Sequence, residues 1–144
     1  MHPYFSLRDR TALVTGGTRG IGKMIAKAYV EAGATVYVCA RDAEACQHAY
    51  GPSKAALHQL SRILARELMS QHINVNVIAP GRFPSKMTQH IGKDEQALAQ
   101  DTALIPMKRW GREEEMAALA ISLASTAVAY MTGNIIPLDG GFSL

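Results

Sequence analysis

Two groups of residues in this chain have the types and spacing to do chemistry. The first is Thr15-Gly16-Gly17-Thr18-Arg19-Gly20-Ile21-Gly22, in which Gly16, Gly20 and Gly22 stand as G-x-x-x-G-x-G. Glycine is needed where the backbone turns sharply and where a side chain would keep a phosphate away from the amides. A turn of this kind that opens a helix offers free N–H groups and positive partial charge to a pyrophosphate. It is a variant of the dinucleotide fingerprint, whose usual form is G-x-G-x-x-G. The second group is Tyr50 and Lys54, four apart in the chain and therefore on one face of a helix. A phenol with a pKa of about 10 is a poor acid-base group at neutral pH until a cation stabilises its phenolate. Lys54 can supply that cation. Alone, such a pair is a common surface arrangement; behind a phosphate turn it points to proton transfer beside a bound nucleotide.

The elements that must position these groups follow from periodicity. The apolar run 11–15 ends in glycines and reads as a buried strand. Ile21, Met24, Ile25, Ala28 and Ala32 recur at helical spacing from Gly20 to Ala32, and Gly33 supplies the stop. Residues 35–40 are β-branched and apolar, a second strand, so the glycine turn lies inside a strand-helix-strand unit. Asp42 to Cys46 has the pattern of a helix start, with Asp42 as cap. A long helix is expected over about 50–69, with Pro52 in its first turn and Ala55, Ala56, Leu60, Ile63, Leu64 and Leu68 on one side. Residues 73–79 alternate and end at Pro80-Gly81, a strand entering a loop. A short helix is expected over 94–102 within a loop-rich stretch. Another is expected over 113–124, with acids in its first turn. A last strand, 135–138, contains Pro137 and so belongs at a sheet edge. The fold class is α/β, a Rossmann-like doubly wound parallel sheet of about four strands.

The end of the second strand usually carries an acid for a ribose 2′-hydroxyl, or a basic residue where a 2′-phosphate must fit. Cys39 and Ala40 offer no acid, and Arg41 follows at once. Arg19, inside the turn, can reach the same group, and two guanidiniums suit a doubly charged phosphate. The expected cofactor is therefore NADP(H). The alternative for Arg41 is a solvated loop residue paired with Asp42.

The totals bound the remaining classes. A chain of 144 residues with 48% hydrophobic and 19% charged residues has the composition of one ordinary globular domain, 1–144. Its net charge of +3 permits an anionic ligand. Lys and Arg are scattered and aromatics are only 6%, which is not a nucleic-acid footprint. No apolar run approaches the ~18 residues of a membrane span, and the N-terminus lacks a secretory pattern. Cys39 and Cys46 have no metal-ligand spacing, so no metal is expected and a reducing cytoplasm is.

Thr15-Gly16-x-x-x-Gly20-x-Gly22, Tyr50-x-x-x-Lys54 and Pro80-Gly81, followed by Thr132-Gly133-Asn134 and Asp139-Gly140-Gly141, resemble in this order the short-chain dehydrogenase/reductase superfamily. The resemblance covers nearly the whole chain. More narrowly, Met1 to Arg10, Cys39-Ala40-Arg41-Asp42 and Arg109-Trp110-Gly111-Arg112 resemble its bacterial NADPH-dependent 3-oxoacyl reductases. The resemblance implies that Gly16, Arg19, Gly20, Ile21 and Gly22 line the pyrophosphate and adenosine side. It implies that Tyr50 donates a proton to a substrate carbonyl as hydride arrives, with Lys54 lowering its pKa and holding the nicotinamide ribose. Pro80, Gly81 and Phe83 would lie against the nicotinamide, and Ser85 would offer a phosphate-contacting hydroxyl. For Phe83 and Ser85 the alternative is ordinary loop packing. The implied partners are a small carbonyl or acyl-carrier-linked substrate and further copies of the chain, as a dimer or tetramer.

The family's Asn-Asn-Ala-Gly motif and its catalytic serine and asparagine have no counterpart here; no serine lies between Ser6 and Ser53. At about 30 residues per strand-helix-strand unit, the missing strands amount to roughly 90 residues. The expectation is an internal deletion before Tyr50, a sheet ordered second-first-third-fourth, and catalysis that is weak or lost. The alternative function is a non-catalytic nucleotide-binding or subunit-association module.

Overall fold

The apolar run after Arg10 forms β1 (Thr11–Thr15), the helical period after the glycines forms α1 (Gly20–Glu31), and the β-branched run forms β2 (Thr35–Cys39). The computed structural model describes residues 3–39, 50–85 and 88–144. β1 and β2 pair in parallel from Thr11↔Thr35 to Thr15↔Cys39. Gly33, at φ +98°, ends α1 in a left-handed turn that a side chain would strain. α1 packs on both strands and on α5 (Glu113–Ala124). Val14, Ala26, Ala28, Met116 and Ala120 are buried there, so small residues let the helices approach closely.

α2 (Tyr50–Leu68) is followed by a 3₁₀ turn, Met69–Gln71, which closes at His72 with a left-handed φ of 58°. β3 (Val77–Pro80) and β4 (Ile135–Leu138) pair in parallel, Val77 opposite Ile135. Between them lie α3 (Gln89–Gly92), α4 (Glu95–Ala103) and α5. Asp94 caps α4 by accepting from the amides of Gln96 and Ala97. The acid-rich start of α5 is closed by Glu115, which accepts from the Arg112 amide at 2.8 Å.

Three expectations are corrected. The strand over 73–79 begins only at Val77. Asn74 and Asn76 donate to the carbonyls of Ala129 and Met131, and the Val75 amide goes to the Thr132 hydroxyl. Those polar side chains draw 73–76 onto a distant loop instead of into a ladder. The sheet order is also different: β1 does not bond β3, and among the described residues there are two separate two-stranded sheets. The halves are joined by α1 packing on α5, and among the described strands β1 pairs with β2 alone. Leu13 and Tyr37, opposite each other in the ladder and so on one face of the sheet, are 68% and 62% exposed. Finally, α2 does not bury the whole face its period suggests. Ala65 is buried beside Gly133, but Leu60 and Ile63 are exposed.

Candidate functional site

At the glycine turn, β1 stops at Thr15 and the chain reverses through Gly16 at φ +72°. Arg19 takes the N-cap position of α1 in extended conformation, with no side-chain hydrogen bond to the helix amides. Among the described residues the N-cap side chain thus leaves the first-turn N–H groups of α1 uncapped, the condition an anion-binding helix start requires. Gly22 is packed under the turn: a β-carbon there would lie 2.6 Å from the Gly16 carbonyl carbon and nearer still to its oxygen. Only glycine fits this cradle.

The loop leaving β3 comes to the same place. Ser85 Cβ lies 4.0 Å from the point where a side chain on Gly20 would begin. The Ser85 amide donates to the Thr88 hydroxyl at 2.9 Å, and that hydroxyl donates to the Phe83 carbonyl at 2.9 Å. Phe83 is 3% exposed and its ring lies against Gly111, which is the loop-packing arrangement. Pro80 is the last residue of β3, and the Gly81 amide donates to the Leu138 carbonyl. A side chain on Gly81 would meet Asp139 at 2.7 Å. Asp139 itself accepts from the amides of Gly141 and Ser143. Bonds from Ser143 and then from these amides hold its carboxyl below the usual range. It is a fastener for the C-terminal turn.

Gly16, Arg19, Gly20, Ile21 and Gly22 therefore span the turn after β1 and the first turn of α1, Pro80, Gly81, Phe83 and Ser85 span the end of β3 and the loop leaving it, and the two segments approach at Gly20 and Ser85. Tyr50 and Lys54 are in the first turns of α2, four positions apart. Arg41, and the helix start expected at Asp42 to Cys46, lie outside the described residues. Among the described residues no group of His, Cys, Asp or Glu could hold a metal, and no helix is long and apolar enough to cross a membrane.

One further cluster forms only in the folded chain. Asp101 of α4 accepts the Trp110 indole N–H at 2.7 Å and lies 3.2 Å from Arg82 Nε. Its three members are scattered over residues 82–110, so no local spacing could have announced it.

Comparison with known proteins supplies the context. Residues 37–143 match the family described as enoyl-(acyl carrier protein) reductase, and residues 10–49 match the short chain dehydrogenase family. The chain is 43% identical to the rhamnolipids biosynthesis 3-oxoacyl-[acyl-carrier-protein] reductase of Pseudomonas aeruginosa, over an alignment of 256 residues spanning all of both proteins. Since this chain has 144 residues, over a hundred aligned positions of that relative face a gap. A 3-oxoacyl-[acyl-carrier-protein] reductase of Thermotoga maritima is 38% identical over 94 residues, which cover 64% of this chain and 37% of that protein. Among solved structures, the Pseudomonas aeruginosa RhlG/NADP active-site complex superposes with a TM-score of 0.89 at 44% identity, covering 100% of each chain. With the glycine turn and the Tyr50–Lys54 pair in their expected elements, this chain belongs to the short-chain dehydrogenase/reductase family.

Proposed function

We propose that this chain is a single NADP(H)-binding domain of a 3-oxoacyl or ketone reductase, shortened between β2 and α2. The observation that carries the reading is the uncapped start of α1 on a glycine cradle, with the Ser85 loop closing against Gly20. The likeness to a relative solved with NADP supports it. The amides of 20–22 hold the pyrophosphate, and Arg19 and Arg41 bind the 2′-phosphate. The reduced nicotinamide, when bound, supplies hydride to the substrate carbonyl. Tyr50 gives that carbonyl oxygen its proton, and the Lys54 ammonium stabilises the phenolate left behind.

Catalysis in this form is weak or lost. A serine that donates to the substrate oxygen has no counterpart here, and losing one such donor costs about 10²–10³ in rate. The substrate class is a small ketone or an acyl-carrier-linked 3-oxoacyl group, and the setting is cytoplasmic. A second reading, a non-catalytic nucleotide-binding or subunit-association module forming a dimer or tetramer, draws on the exposed Leu13, Tyr37, Leu57, Leu60 and Ile63.

Titration with NADPH and NADH, followed by nicotinamide fluorescence, tests the proposal. Tighter NADPH binding is expected. Equal affinity removes the 2′-phosphate assignment, and binding of neither removes the nucleotide site. NADPH binding without turnover of a 3-oxoacyl thioester selects the module.

A further inference from the structure

Asp101 sits on α4 with its side chain only 11% exposed and both carboxylate oxygens engaged. Oδ1 faces Arg82 Nε, and Oδ2 takes the Trp110 indole proton. Three segments distant in sequence therefore converge on one carboxylate: the loop leaving β3, helix α4, and the stretch before α5. The outer two are also joined by backbone, since the Gly111 amide donates to the Arg82 carbonyl at 2.9 Å. Beside that bond the Phe83 ring fills the space a side chain on Gly111 would need, 2.9 Å from Cε2 and nearer to Cζ. The indole in turn lies over Gly92 of α3, where a β-carbon would be 3.5 Å from Cζ3. From Phe83 the chain of contacts continues through the Thr88 hydroxyl to the Ser85 amide, and so to the edge of the glycine turn at Gly20.

We propose that Asp101 is a positioning residue: its carboxylate clamps Arg82 and Trp110 to α4 and thereby fixes loop 82–85 against the glycine turn. The use of that loop for a nucleotide rests on the proposed function; the clamp itself does not. A largely covered carboxylate with two partners is hard to replace, because its removal leaves the Trp110 indole N–H without its acceptor and frees Arg82, 46% exposed, to turn to water. Asparagine keeps an acceptor for Trp110 and loses the charge facing Arg82.

The test compares the full chain with Asp101→Ala and Asp101→Asn. Amide hydrogen exchange at Gly111 and Ser85 should quicken about tenfold in the alanine variant and less in the asparagine variant, with the β1–β2 ladder unchanged. Trp110, the only tryptophan, should become more open to acrylamide quenching. The NADP⁺ dissociation constant should rise about tenfold with alanine, and asparagine should recover part of the loss. Unchanged exchange at Gly111 and Ser85 overturns the clamp whether or not nucleotide binds. Faster exchange with unchanged NADP⁺ affinity overturns the positioning role. If the unsubstituted chain binds no NADP⁺, the nucleotide reading fails and exchange alone decides the clamp. If the alanine variant does not fold, the asparagine variant is read by the same criteria.

Discussion

Replacing Gly22 by alanine separates two jobs that glycine performs in one turn. Gly22 is in the first turn of α1 and its φ is not left-handed, so the backbone itself accepts alanine. The obstacle is steric. The new methyl would lie 2.6 Å from the Gly16 carbonyl carbon and 3.0 Å from the Gly17 nitrogen, where ordinary contact is about 3.5–4.0 Å. All of these atoms are backbone, so no rotamer relieves the clash and the turn must open by roughly 1 Å. Overpacking of this size costs about 1–3 kcal/mol, which at about 3 °C per kcal/mol lowers Tm by roughly 3–9 °C. Gly16→Ala is the control. Nothing lies within 4 Å of its β-carbon, but φ is +72°, so its cost is conformational, about 1–2 kcal/mol. The two variants should lose comparable stability, yet Gly22→Ala alone forces open the amides that would hold a pyrophosphate. NADPH titration well below both melting points should show dissociation at least about tenfold weaker for Gly22→Ala, the worth of one charge-assisted hydrogen bond of ~1.5 kcal/mol. Binding by Gly22→Ala equal to that of the parent chain would refute the cradle argument.

Other outcomes follow from the same structure. Tyr50→Phe should leave NADPH affinity intact and remove any turnover of a 3-oxoacyl substrate, measured by the loss of absorbance of the reduced cofactor. Glu115 is drawn from its ordinary 4.5 to about 2, first by the Arg109 side-chain bond and then by the Arg112 amide. The folded value lies below the unfolded one, so this stabilisation is complete above about 4.5 and is lost as pH falls toward 2. The urea-midpoint gap between the parent chain and Glu115→Gln should therefore be constant near neutrality, narrow below pH 4.5 and close near 2, and it should shrink in high salt. Met116→Ala, at a position with 0% exposure, should cost about 2–5 kcal/mol in urea unfolding. Leu13→Thr, at 68% exposure, should change stability by less than about 0.5 kcal/mol while reducing self-association in sedimentation.

The amino-acid sequence by itself determined the elements whose causes are local. The β1-α1-β2 unit follows from apolar spacing that changes period at Gly16 and Gly20. The start of α4 follows from Asp94 acting on amides two and three residues ahead, and α5 from three acids at its first turn. The glycine turn was legible for the same reason, since a backbone that must reverse under its own helix admits only glycine at 22. Tertiary structure decided the rest, because the deciding contacts join residues far apart in the chain. Asn74 and Asn76 have the alternation of a strand and lose it to carbonyls 55 positions away. Leu60 and Ile63 have the spacing of a core face, but burial depends on what packs against a helix and not on its period. The sheet order depended on whether β1 and β3 could meet, and helix packing between α1 and α5 joined the halves without them. The Asp101 clamp gathers three loops and helices at one carboxylate, a convergence that exists only once the chain has folded.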